Sequence, residues 1–254
     1  MQRVFVVIDA LQSLLAEKPE VRANSFPRDL ERLIIYGLEI PVVTMPDLTL
    51  DEAAKYLCIL RGKLIQVNEV LDRKLYGLLH VGPPCNIIFI REGLQPHVRN
   101  YVLAHELGHF LIDVFLIRRL WLKTLPEQKI AIERAFMWQE YDAWLDLHAL
   151  IKGLPPRPGA ITARGKQIAP ETSEREVQAD LFARELMAPW DVVSPLFELN
   201  GETDFIRLLH AQFGLPKRVA SYYYSDLRRY LKPHPDVIER LFAPLLISPE
   251  KNSL

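Results

Sequence analysis

The sequence predicts an α+β chain, predominantly helical, with a small sheet packed on one helix that carries an H-E-x-x-H motif. Three observations lead there. Apolar residues recur at a helical period through most of the 254 residues. Three short runs, "IPVVT", "LYGLLHV" and "NIIFI", have strand character instead. The helical period returns after Pro96 and opens the helix that holds His105, Glu106 and His109. These features divide the chain into an N-terminal helical segment (1–37), a core (38–190) with an inserted helix and loop at 124–172, and a C-terminal helical region (191–254) packed on the core.

The elements follow in order. Val4, Ile8, Leu11 and Leu15 fit one stripe of a helix over 2–17. Pro27 to Tyr36 reads as a second helix, ending near Gly37, and Ile40 to Thr44 as a short strand. Thr49 with Glu52 three residues on is a capping-box signature, opening a helix to about Leu60. The runs 75–81 and 86–90 flank Gly82-Pro83-Pro84 and read as neighbouring antiparallel strands. Pro126 ends the segment after the motif helix, and Glu127 to Lys152 reads as a long helix closed by Gly153. Leu154 to Ser173 reads as a loop, and a helix runs from Ser173 to about Met187, stopped by Pro189. Two more helices cover Asp204–Phe213 and Pro216–Leu231, with Gly214 between them. The tail after Pro235 is apolar in places and is expected to pack back on the body.

Composition narrows the function classes. A formal charge of −1 offers no global basic field for nucleic acid. Cys58 and Cys85 have no metal-type spacing, and two scattered thiols fit a reducing cytoplasm. The run "VFVVI" at 4–8 is broken by Asp9, so it does not read as a signal peptide. Phe110 to Ile117 carries Asp113 and is too short to span a bilayer. The expectation is a cytoplasmic protein without a membrane segment.

On a helix, residues four apart share a face. His105 and His109 can therefore aim at one cation, with Glu106 beside them as a base for an activated water. A tetrahedral catalytic zinc needs a third protein ligand. Glu176 is the candidate, and Asp180, one turn on, can hydrogen-bond the far nitrogen of a zinc-binding histidine. Ser173 and Glu176 also form S-x-x-E, in which Glu176 would instead reach back to cap its own helix. Glu171, Glu174, His97, His148 and His210 are the alternative third ligands.

The stretches "RNYVLAHELGHFLI" and "EREVQADLFARELMAP" together resemble the ImmA/IrrE family of metallopeptidases. The second stretch carries Glu176, Ala179, Asp180, Phe182, Ala183, Leu186, Met187 and Pro189 at the family's helix pattern, with an extra alanine before the proline. The likeness covers roughly Leu38 to Leu231. The resemblance implies a zincin-like, gluzincin-type fold and an intracellular zinc endopeptidase that cleaves a helix-turn-helix repressor, acting in a stress response or on a mobile element. It implies His105, His109 and Glu176 as zinc ligands and Glu106 as the base. The 176 − 109 = 67 residues between second histidine and acidic ligand exceed the family's usual gap. The excess is mainly the 127–152 helix and the loop after it, whose Trp138 and Trp144, with Trp121 just upstream, are candidates to line a groove or to pack on the domain.

Two other readings stay open. The fold could persist as a non-cleaving scaffold that binds a regulator, although Glu106 would then be idle. The C-terminal helix pair has the rhythm of a DNA-binding helix-turn-helix, with Lys217, Arg218 and Arg228 as the cations, but the net charge gives DNA contact no support. One of Tyr222, Tyr223 and Tyr224 could serve as an oxyanion donor.

Overall fold

A computed structural model describes residues 8–9, 11–12, 25–62, 74–82, 85–137 and 170–231. They are mostly helical, with one three-stranded mixed sheet. Of the predicted helix over 2–17, only 8, 9, 11 and 12 fall among them, with helical backbone and Leu11 buried. The second half of the 127–152 helix, most of the 154–173 loop and the tail after Pro235 lie outside the described residues.

Helix α1 starts at Leu30, three residues after the predicted Pro27. The Asp29 side chain accepts a hydrogen bond from the Arg32 N–H and caps it. It runs over Leu30–Arg32 and on through a π-helical turn, Leu33–Gly37. Strand β1 is Val42–Met45. Helix α2, Leu50–Arg61, begins as expected: Thr49 Oγ1 accepts from the Glu52 N–H at 3.2 Å. Strands β2, Gly77–His80, and β3, Ile87–Arg91, pair antiparallel, as their sequence proximity predicts. β1 joins parallel to β3, giving the order β1-β3-β2.

The central position of β3 explains its unbroken apolar run. A strand covered on both faces needs no polar side. Ile88 and Ile90 enter the main core with Leu103 and Leu107. Ile87 and Phe89 point the other way, to Leu48, Ala53 and Leu57. The sheet is thus held between α2 and the motif helix, α3, Pro96–His109. Pro96 occupies the first helical turn, where its missing N–H is no loss.

α3 does not end at the motif. It continues as a π-helical stretch, Phe110–Phe115, and then as α4, Leu116–Thr124. A short 3₁₀ turn, Pro126–Gln128, leads into α5, Lys129–Met137. Trp121 is buried there with Val81, Val114 and Ile132, so it packs on the domain. Trp138 and Trp144 lie outside the described residues.

Helix α6 spans Pro170–Met187, three residues longer at its start than the pattern predicts. Phe182, Ala183, Leu186, Met187 and Ala188 close the main core with α7, Trp190–Leu199, a helix the periodic pattern does not announce. Pro195 sits inside α7, where proline normally argues against a helix. α8, Glu202–Ala211, and α9, Lys217–Leu231, form the last pair, with Gly214 at φ 74° in the turn. Ion pairs tie the outer helices inward: Arg99 to Glu31 and Arg184 to Asp226, both at 2.7 Å. Among the described residues no helix is long and apolar enough to cross a membrane.

α3 and α6 meet closely at Gly108. A Cβ there would lie 3.0 Å from Phe182 Cδ1, 3.2 Å from Ala179 Cα and 3.3 Å from the Ala179 carbonyl oxygen. Only glycine against alanine lets the backbones approach so far. A Gly108→Val variant is therefore expected to lose about 1–3 kcal/mol of stability by overpacking, read as a lower midpoint in urea unfolding. An unchanged midpoint would show that the helices can part freely.

Candidate metal centre

The motif residues leave α3 in different directions because successive helical positions are rotated by about a hundred degrees. His105 and His109 project toward α6. Glu106 turns toward the sheet, where Gly77 of β2 lies so close that an added Cβ would sit 2.9 Å from Glu106 Oε1 and would also meet Val102.

The two imidazoles and Glu176 converge. His105 Nε2 and His109 Nε2 are 3.2 Å apart. Glu176 Oε2 lies 3.5 Å from the first and Oε1 3.4 Å from the second. One ligand atom from each residue falls within 4.8 Å of the others, so these three could hold a metal ion. Glu176 sits well inside α6, because that helix starts at Pro170 rather than Ser173. The capping-box alternative for Glu176 therefore fails.

The Nδ1 atoms face outward to carboxylates. His105 Nδ1 is 2.8 Å from Asp180 Oδ1, the partner expected for it. His109 Nδ1 is 3.1 Å from Asp113 Oδ2, a partner the sequence reading did not name. Tyr101, also unnamed there, donates its hydroxyl to Asp180 Oδ1 at 3.0 Å. The signal for both was present: Tyr101, His105, His109 and Asp113 follow one another at four-residue steps along the same stretch.

The other candidates lie elsewhere. His97 and His210 stack edge to face, with ring centroids 4.8 Å apart, and His210 Nδ1 bonds the Leu215 carbonyl. Glu174 is exposed and accepts from Gln178. The side chain of Glu171 and the whole of His148 lie outside the described residues. The expected oxyanion tyrosines are engaged away from the site. The Tyr223 hydroxyl donates to the Ala188 carbonyl, the Tyr224 ring packs on Phe197 and Phe205, and Tyr222 is exposed beside Arg218.

No family model, curated protein or solved structure matches the chain.

The electrostatics follow from packing carboxylates around two rings. Burial disfavours charge on His105, but Asp180, then Glu176, outweighs it and holds the imidazole up at about 9. Burial also opposes charge on His109, yet Asp113 and Glu176 raise it to about 10. Glu176 is pushed the other way: against its own burial, the two histidines hold it far below the usual carboxylate range. Burial pushes the Glu106 carboxyl up, partly countered by His105 and His109 and by a backbone hydrogen bond from Leu79.

The surrounding carboxylates therefore favour protons on this imidazole pair in metal-free protein, and a metal must displace them. Their raised pKa values stabilise the metal-free fold fully below about 6.5, the unfolded value. That contribution is lost as pH rises through 9 to 10. Calorimetric titration of chelated protein with a divalent cation should release protons at pH 7. Release should fall, and affinity rise, toward pH 10, while the melting temperature of chelated protein drops over the same window. Metal binding without proton release would contradict the assignment of the two rings.

Proposed function

We propose that the chain is a zinc-dependent endopeptidase that hydrolyses a peptide bond in a protein partner. The observation that carries this reading is the geometry of the three donors. Tetrahedral zinc bonds of about 2.0–2.1 Å to nitrogen and oxygen place neighbouring ligands roughly 3.3–3.4 Å apart. The two Nε2 atoms are 3.2 Å apart, each has a different oxygen of Glu176 at 3.4 or 3.5 Å, and one donor atom from each residue lies within 4.8 Å of the others, which is within reach of a single ion after small side-chain adjustment. Two histidines and one glutamate are a donor set used in catalytic zinc sites, which leave a fourth position for water or substrate. Both Nδ1 atoms face carboxylates, so each ring in its neutral form would turn its Nε2 lone pair inward.

When bound, zinc supplies Lewis acidity, which acidifies water and polarises a carbonyl. The remaining chemistry belongs to Glu106. Its carboxylate takes a proton from water as the water oxygen bonds to the scissile carbonyl carbon. As the carbon–nitrogen bond breaks, the same proton passes to the leaving nitrogen. Burial raises this carboxyl and so makes it a stronger base than an exposed glutamate. The contact with β2 and the Leu79 hydrogen bond hold the group in place. A scaffold that only bound its partner would have no use for a carboxylate so placed.

The partner class rests on the resemblance to the ImmA/IrrE family: a helix-turn-helix repressor, cleaved in the cytoplasm. Direct DNA binding has little support. Arg218 stacks on Tyr222, and Arg228 faces Glu202 at 4.0 Å.

Purified wild-type protein should contain about one zinc per chain and Glu176→Ala almost none. Glu106→Gln should keep the zinc but cut a neighbouring-gene helix-turn-helix repressor at least ~100-fold more slowly. Metal analysis and a time course of repressor fragments read the two. Full zinc retention in Glu176→Ala, or unimpaired cleavage by Glu106→Gln, would overturn the respective role.

A further inference from the structure

Asp113 follows the motif by four residues but leaves from the π-helical stretch beyond it, not from α3 itself. Its two oxygens face two elements. Oδ2 lies 3.1 Å from His109 Nδ1, and Oδ1 lies 3.8 Å from Arg175 Nε on α6. The side chains of Asp113 and Arg175 are 19% and 24% exposed, so both are largely withdrawn from water. Arg175 immediately precedes Glu176. Adjacent residues of α6 therefore address the two sides of the same ring: Glu176 at Nε2 and Arg175, through Asp113, at Nδ1.

His105 is held in a parallel way. Asp180 Oδ1 accepts from Tyr101 and lies against His105 Nδ1. Each histidine thus has its own carboxylate, and each carboxylate its own anchor. The carboxylates come from opposite elements: Asp180 from α6 for His105, Asp113 from the motif helix rod for His109.

We propose that Asp113 and Arg175 are positioning residues for His109, with Asp113 accepting the Nδ1 proton and Arg175 fixing the carboxylate from the neighbouring helix. This rests on the reading of the site as a metal centre. A free imidazole can carry its proton on either nitrogen and can rotate about its bonds to the backbone. A carboxylate at Nδ1 selects the tautomer whose Nε2 lone pair is available, fixes the ring plane and raises its basicity. The guanidinium matters because a carboxylate held at one oxygen only can swing. Arg175 faces the second oxygen as an ion pair at 3.8 Å, longer than a hydrogen bond, and so biases the carboxylate electrostatically from the helix that supplies the third ligand.

The alternative is that Asp113 and Arg175 form a plain interhelical ion pair that His109 happens to touch. A double-mutant cycle on zinc affinity separates the two. Affinity is measured by competition with a chromogenic chelator on full-length protein. Asp113→Ala should weaken zinc binding about 10–100-fold. Arg175→Gln should weaken it several-fold in the wild-type background and not at all on Asp113→Ala, because its effect passes through that carboxylate. Asp113→Asn, which keeps an oxygen acceptor but not the charge, should recover part of the loss. Zinc-loaded protein with ¹⁵N-labelled histidine gives an independent readout. Asp113→Ala should move or abolish the His109 Nδ1–H resonance and leave that of His105 unchanged.

Unchanged affinity in Asp113→Ala with an unmoved His109 resonance would overturn the proposal, as would full additivity of the two substitutions. Wild-type protein that takes up no zinc at all would instead remove the metal-centre reading, and this inference with it.

Discussion

The whole site depends on one close contact, Gly108 against Ala179. Two helices each carry half of the donor set, and neither half has use without the other. Side chains the length of histidine and glutamate reach a common point only if their backbones lie near the lower limit of helix separation. Gly108 removes the Cβ that would hold α6 off, and Ala179 has the smallest side chain that could face it. The Phe182 ring fills the remaining space beside them, fully buried. The glycine in the motif stretch is therefore as necessary to convergence as the residues that converge.

The helix α3 serves three neighbours with three faces. Leu103, Ala104 and Leu107 enter the main core with Ile88 and Ile90 of the sheet. The four-residue stripe from Tyr101 through His105 and His109 to Asp113 looks to α6. Glu106 looks to β2, where the absence of a side chain at Gly77 permits the strand to lie against it. Glu106 and the residues that could hold a metal ion are thus located by different contacts. A disturbance at the sheet would move Glu106 while leaving His105, His109 and Glu176 in place. A disturbance at α6 would do the reverse.

The donors were legible in the sequence because helical spacing is a strong rule. His105, His109, Glu176 and Asp180 lie at the steps that place side chains on one face, and their types differ sharply from the apolar residues around them. Asp113 obeyed the same spacing. In its apolar run it was weighed only as a charge against a membrane span, not as a partner for His109. The strand pairing shows a different gap. Proximity in sequence predicted β2 against β3, but nothing local says that β1 joins on the far side of β3, across the whole of α2. The clue was the lack of alternation in "NIIFI", which marks a strand covered on both faces. Helix α7 was hidden by Pro189 and Pro195. The first precedes the helix, and the second is tolerated within it, where Val193 packs into the core.

The carboxylates around the two histidines set the charge balance of the site. Glu176, Asp180 and Asp113 all face the imidazoles, with Glu106 adjacent. Four acids around two rings, partly withdrawn from water, form an arrangement that destabilises a neutral site. In metal-free protein the protonated imidazoles compensate, which is why both are raised and Glu176 is depressed. A divalent cation among the Nε2 atoms and Glu176 would place positive charge at the point where the acids converge. It would also require the rings in the neutral form that can donate a lone pair. The field that favours protons on the rings is thus a field that would favour a metal in their place. Arg175 and Tyr101 act at the rim of that field, each on a carboxylate one step removed from the centre.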